Sequence, residues 1–499
     1  MILTLFIGSG LGFGAYLYFR PDVGQGSTLE TVFNVADQRL KEARDLEIDG
    51  ELTLARLKYT QARDLFERQG NQEKLNQANE GINRTLKLAQ DYSLDTSALQ
   101  QLLAQKIEAF RTADFNKWEL NGQLDCRYID GQKRYAVHTV ENLAFQDADV
   151  ARRLIGWNAY YEGLMETLLP YALAPSASSI TQSWRNSLTF TVNSQLHLNY
   201  TKLPPYQTVR CWSPFPILTP SQTDIQLITA QADEATFFPP WSDPETGIVY
   251  LEMKNSGNHD LNMRLVYSFK TKEISLDINP NLVGSYDTNQ SLYQRYTRSE
   301  PHLEISEQMQ ELAVQITARE ENPYHKAQKV YQWMLQNIRP GHVSYPLVLA
   351  SSASHYCLEH KMGDSTLQAF LFATLCRSTG IPARVVSGYL LVPGYEKPWS
   401  WAEFYLPYYG WVPADPAMAK TMSLAPQLKE EQRQRVETYY LGHLDPYRLI
   451  LNQTSPATLS PTKKTERNMS LFLLEPEAEA GGKNIPMEAI KFTLTFQRQ

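Results

Sequence analysis

Residues 363–416 read GDSTLQAFLFATLCRSTGIPARVVSGYLLVPGYEKPWSWAEFYLPYYGWVPADP, and this stretch organises the reading of the whole chain. The stretch after Ser365 reads as a helix, with Cys376 on a face shared with Phe372 and Ala369. Gly380 and Pro382 break it. A β-strand follows. A further strand, through Trp399, Trp401 and Glu403, ends in a tight turn. Ser365 followed three residues later by Gln368 has the form of a capping box, worth ~1 kcal/mol to a helix start.

Around this stretch, 499 residues exceed a single core and predict about three domains. Hydrophobic content of 42% with 11% aromatics is enough to pack them. A net charge of −7 and the absence of a Lys/Arg run along any groove exclude nucleic acid as the expected partner. Cys126, Cys211, Cys357 and Cys376 are widely spaced, so a disulfide framework is not implied.

The first nineteen residues carry no charged side chain and stop at Arg20-Pro21. A helix of that length just spans a hydrocarbon core of ~30 Å. Residues 1–20 are therefore expected to be a transmembrane anchor. Gly8/Gly12 and Gly10/Gly14 give the small-residue spacing that would allow a homo-dimer through this segment. A signal peptide cleaved near Gly24–Gly26 is the competing reading, opposed by the lack of Lys or Arg before the apolar run.

Ser27–Glu30 reads as a capping box that opens a helical bundle over residues 27–115. Its stripes are Val32/Ala36/Leu40/Ala43, Leu52/Ala55/Tyr59/Ala62/Phe66, Leu75/Ile82/Leu86/Ala89 and Leu99/Leu103/Ile107/Phe110. Residues 120–205 form a small α+β unit. It has a hairpin at Asp130-Gly131, a helix over Asp149–Leu173, and two strands joined by a turn at Asn193-Ser194. Alternation through Val249–Met253 and Leu261–Phe269 predicts a β-sandwich-like domain over 206–295. An α+β core over 296–420 and a C-terminal β extension over 421–499 complete a multidomain α+β chain.

Arg377, Gly380-Ile-Pro-Ala-Arg384, Val386, Gly388-Tyr389, Trp401, Glu403, Gly410-Trp411 and Asp415-Pro416 resemble the core of the transglutaminase-like superfamily, the papain-related cysteine enzymes. The resemblance covers roughly residues 295–420. It implies a papain-like fold with a cysteine at the start of a helix, a histidine on the next strand and an acid that orients it. The nucleophile position, twelve residues before Arg377, is Ser365. The base position, two before Trp401, is Trp399, and residues 361–442 contain no histidine. Only the acid, Asp415, is kept. Serine needs a base to attack, and an indole nitrogen is a donor only. The triad is degenerate and the chain is expected to be a pseudoenzyme.

Each position also has a bland reading: Ser365 as a helix cap, Asp415 as a turn residue bonding amides, Cys376 as core. Trp401, Glu403, Tyr408 and Trp411 are expected to line the vacated cleft and hold a partner, with core and rim as the alternative. His355-Tyr-Cys357-Leu-Glu-His360 offers two other chemistries. His355, Cys357 and His360 have the residue types of a zinc site, and Cys357 is an alternative, displaced nucleophile. No cofactor is expected. The favoured reading is a membrane-tethered, extracytoplasmic module of the cell envelope that binds a protein, peptide or cell-wall fragment without cutting it. The alternatives are a cysteine amidase, peptidase or transglutaminase acting through Cys357, and an envelope assembly factor acting through the helical region.

Overall fold

The computed structural model describes residues 29–174, 183–238, 241–242, 245–455, 457–465, 471–485 and 489–499. The expected anchor over residues 1–20, the cleavage site and Ser27 lie outside the described residues. No described helix is long and apolar enough to cross a membrane.

The helix Ser365–Ser378 is buried on every side from Ser365 to Arg377. A helix without a polar face must be enclosed. A four-stranded antiparallel sheet covers one side, in the order Gly410–Ala414, Lys397–Leu406, Ala383–Leu390, Arg448–Asn452. The helices Glu307–Thr317, Pro323–Asn337, Ala353–His360 and Pro416–Ser423 enclose the rest. The N-cap is Asp364, whose carboxylate accepts from the Leu367 amide at 3.0 Å. The capping box expected from Ser365 and Gln368 is therefore corrected by one residue. Ser365 is the first helical residue, and Gln368 donates its side-chain amide to the Gly363 carbonyl at 2.9 Å.

Motif residues explain themselves as joints of this core. Arg377, at the end of the buried helix, donates to the Ala383 carbonyl, the Arg298 carbonyl and the Glu300 carboxylate, each at 2.8 Å. It pins the loop that Gly380 turns with a φ of +79°. Gly388 lies where Ala383–Leu390 meets Arg448–Asn452, and a Cβ there would stand 1.7 Å from the Leu449 carbonyl oxygen.

Two further sheets share one apolar core. In the first, Leu261–Ser275 pairs with Ser183–Leu198, Gln222–Ala232 and His443–Leu444, and Ser183–Leu198 pairs with Ile490–Arg498. The second runs Lys483–Asn484, Glu477–Ala480, Thr208–Pro214, Gly247–Lys254, Ala235–Phe237. Phe215 of one side meets the Tyr267 ring of the other at 5.1 Å. Strands from 183–198 and 477–498 thus complete a β unit whose sequence boundaries were expected at 206 and 295. The expected turn at Asn193-Ser194 is absent. Both residues pair within one continuous strand, Asn193 opposite Val266 and Ser194 opposite Leu265, because neighbours on both sides outweigh local turn preference.

The helices Leu29–Ile48, Leu52–Gln69 and Gln72–Asp91 pack antiparallel around Ala36, Leu40, Ala55, Tyr59 and Phe66. The third turns a face one residue away from that expected. Ala78, Gly81, Thr85 and Leu88 are buried and Leu86 is exposed, because Gly81 backs onto the Tyr59 ring. Within the bundle Arg84 ties the third helix to Glu47 of the first at 2.5 Å. The helix expected over Asp149–Leu173 is two, Ala148–Arg153 and Trp157–Leu173, divided at Gly156 with a φ of +81°.

Gly388→Ala drives a methyl group into a carbonyl that is itself part of a strand pair. We expect a loss of about 3 kcal/mol, measured by chemical denaturation. A variant as stable as the parent would show that this strand pair yields freely.

Candidate functional site

The start of the buried helix faces the strand Lys397–Leu406, and this apposition sets the site. Ser365 is 8% exposed, and its Oγ accepts a hydrogen bond from the Ser400 amide at 3.2 Å. The Ser400 hydroxyl lies 2.9 Å from Thr366 Oγ1 and donates to Ser387 Oγ at 2.8 Å. A buried chain of hydroxyls therefore ties helix to sheet, and no base is bonded to Ser365.

Trp399 stands beside it and donates its indole Nε1–H to Asp415 Oδ2 at 2.9 Å. The same oxygen takes Arg448 Nη1 at 2.8 Å, and Asp415 Oδ1 takes the Met418 amide at 2.8 Å, capping the helix Pro416–Ser423. Asp415 is fully buried. Burial raises its pKa from the ordinary carboxylate value, against the opposing pull of Arg448, the Met418 amide and the indole. Burial opposes protonation of Arg448, but Asp445 and Asp415 outweigh it and hold the guanidinium firmly charged. Asp445 receives Arg448 Nη2 at 2.7 Å. The acid thus orients an indole, not an imidazole.

Residues 310–416 match the family profile of the transglutaminase-like superfamily core. They are a transglutaminase-like domain. An uncharacterised protein of Haemophilus influenzae is 25% identical over 263 residues, 46% of this chain and 69% of that protein. Among solved structures, a Cytophaga hutchinsonii protein named as a candidate cysteine protease covers 64% of this chain and 92% of its own, at 16% identity and a TM-score of 0.40. The periplasmic domain of TgpA from Pseudomonas aeruginosa covers 52% of this chain and 93% of its own, at 17% identity and a TM-score of 0.24.

In the transglutaminase-like domain, Ser365 and Trp399 open onto a cavity of about 420 Å³. Its walls are largely aromatic, from Phe145, Tyr160, Tyr345, Tyr395, Trp399 and Phe472. Lys397 and His342 contribute nitrogen, and Asp364, Glu475 and Glu477 contribute carboxyls. Burial drops the Lys397 pKa to about 8, and burial followed by the neighbouring His138 drops His342 to about 4.

The four residues expected to line the cleft are elsewhere. Trp401 is fully buried with the Arg448 guanidinium 5.3 Å over its ring. Glu403 receives Arg384 Nη2 at 2.7 Å, and that guanidinium lies 4.1 Å over Trp411. Tyr408 is 66% exposed in the turn, at a φ of +78°. A strand rises about 3.3 Å per residue, so Trp401 and Glu403 sit progressively farther from the cavity than Lys397 and Trp399 do. Lys397, on the same strand face as Trp399, was within reach of strand periodicity. Phe145, Tyr160 and Phe472 come from distant segments and left no local signal.

The cluster His355–Cys357–His360 is not assembled either. On the helix Ala353–His360, His355 lies on the side opposite Cys357 and His360. His355 Nε2 pairs with Ser306 Oγ at 2.8 Å, and His360 pairs with the Tyr356 carbonyl at 3.0 Å. Cys357 is fully enclosed, and burial pushes its thiol far above the ordinary value. It has neither the thiolate character nor the access of a nucleophile. Among the described residues no group of three His, Cys, Asp or Glu side chains could hold a metal ion.

Two outcomes follow. Asp415→Asn leaves Arg448 short of one carboxylate, and we expect a loss of about 3 kcal/mol in equilibrium unfolding. Iodoacetamide at pH 7 is expected to modify the folded protein at the exposed Cys126 alone. Cys211, Cys357 and Cys376 should react only after denaturation, which peptide mass spectrometry reads directly.

Proposed function

We propose that this protein is a non-catalytic transglutaminase-like module that holds a peptide or cell-wall fragment in the cavity at Ser365 and Trp399. One observation carries the reading: the Trp399 indole fills the base position and donates to Asp415. Proton abstraction there requires an acceptor, and an indole N–H is none. Ser365 has a backbone amide as its partner and no group to take its proton. The aromatic cavity supports binding, since stacked rings supply much contact area for little ordering cost. The apolar, uncharged residues 1–19 support tethering to a membrane, with the module on its extracytoplasmic side.

A soluble muropeptide incubated with the protein is expected to bind in a calorimetric titration and to leave with its mass unchanged. Ser365→Ala should bind equally well. A product of altered mass that disappears in Ser365→Ala or Cys357→Ala would overturn the reading.

A further inference from the structure

The cavity holds a cation to which none of its carboxyls is bonded. Lys397 Nζ donates to Tyr395 Oη at 2.7 Å and to Tyr160 Oη at 3.3 Å, and the two phenols also bond each other. It lies 3.9 Å from the Tyr395 ring centre, 5.1 Å from Trp399 and 5.5 Å from Tyr160. Four other cations buried in the core have a carboxylate: Arg377 has Glu300, Arg384 has Glu403, Arg448 has Asp415 and Asp445, and Lys463 has Glu477. Among the described residues no carboxylate pairs with Lys397.

The groups facing it do not fill that place. Asp364, at the helix start, is the acid that acts on Lys397, but its oxygens are committed to the Leu367 amide and the Tyr345 hydroxyl. Burial also raises the Asp364 pKa from the ordinary carboxylate value, against the Leu367 amide and the Tyr345 hydroxyl. His342, on the opposite wall, is uncharged at neutral pH, and burial keeps the Tyr160 and Tyr395 hydroxyls protonated. Glu477 is paired with Lys463, and Glu475 is exposed at the rim. A desolvated ammonium without a counter-ion is unfavourable, and an entering carboxylate relieves it. A cavity of about 420 Å³ lies within the range of sites that enclose small ligands.

We propose that this cavity is a carboxylate site, in which Lys397 binds the acid group of a ligand whose apolar body rests on Tyr160, Trp399 and Phe472. The inference rests on the binding reading above and names the chemical class it takes. Cation–π contact with Tyr395 and Trp399 holds the ammonium in place, while its free donor faces the ligand. The acid is supplied by a free organic acid or by a peptide C-terminus, which share this chemistry.

Four probes test it by calorimetric titration of the whole protein: phenylacetate, N-acetyl-phenylalanyl-alanine, and the amide of each. At least one acid is expected to bind, with its amide at least tenfold weaker, and the tighter acid identifies the source. Lys397→Met should lose the acid by tenfold or more. Lys397→Arg, which keeps a charge, should retain it. Raising the pH from 7 to 9 should weaken wild-type binding about tenfold as Lys397 deprotonates, and should leave Lys397→Arg unchanged. Amides that bind as tightly as acids, no binding of either acid, or a pH-independent wild type would overturn the proposal. Turnover is read separately by ligand mass, so an active enzyme with a Lys397-dependent acid site would sink the non-catalytic reading alone.

Discussion

The buried contact among Arg448, Asp415 and Asp445 is the constraint on which the core depends. Arg448 enters from the edge strand, Asp415 caps the helix after the last motif strand, and Asp445 precedes the edge strand itself. Charges this deep are tolerated only when each is paired and its remaining donors are satisfied. The Trp399 indole fills one of the remaining approaches to Asp415, and the Trp401 ring lies beneath the guanidinium. Asp415 thus joins strand, helix and indole in one buried contact. Its geometry requires three donors, and the chain supplies them from a strand, a helix and an indole.

That arrangement puts an indole where the family resemblance places an imidazole. An imidazole and an indole both present a flat ring and an N–H to the same carboxylate. Only the imidazole has a second nitrogen able to accept a proton. Ser365 is likewise tied into a hydroxyl chain with Thr366, Ser400 and Ser387 that secures helix to sheet. What the site gains is aromatic wall. The cavity joins Phe145 and Tyr160, some two hundred residues upstream, to Lys397, Trp399 and Phe472, so it exists only when distant segments dock on the transglutaminase-like core.

Much of the core was legible because its signals are local. The turn at Gly380, the buried helix and the alternating strands follow from backbone sterics and periodicity. The stripe Leu52, Ala55, Tyr59, Ala62, Phe66 is buried as its spacing implies. Misreadings arose where a long-range contact overrode a local preference. Asn193-Ser194 has turn chemistry but is held straight by strands on both sides, and Leu86 yields its inward place because Gly81 packs onto Tyr59. The aromatic run from Trp401 to Trp411 neighbours the cleft in sequence, where cleft lining and core or rim packing look alike. The strand carries it away from the cavity at each step.

The sequence by itself determined which residues occupy the positions of the triad, and thereby that Trp399 cannot act as a base, since that follows from the indole alone. It also determined the buried helix, whose lack of a polar face demands enclosure. Only the tertiary structure decided what lies around those positions. It closed Cys357 into the core, committed Asp415 to Arg448, and set Lys397 against two phenols rather than a carboxylate. Burial and partnership depend on segments hundreds of residues apart, and no local pattern encodes which of them will meet.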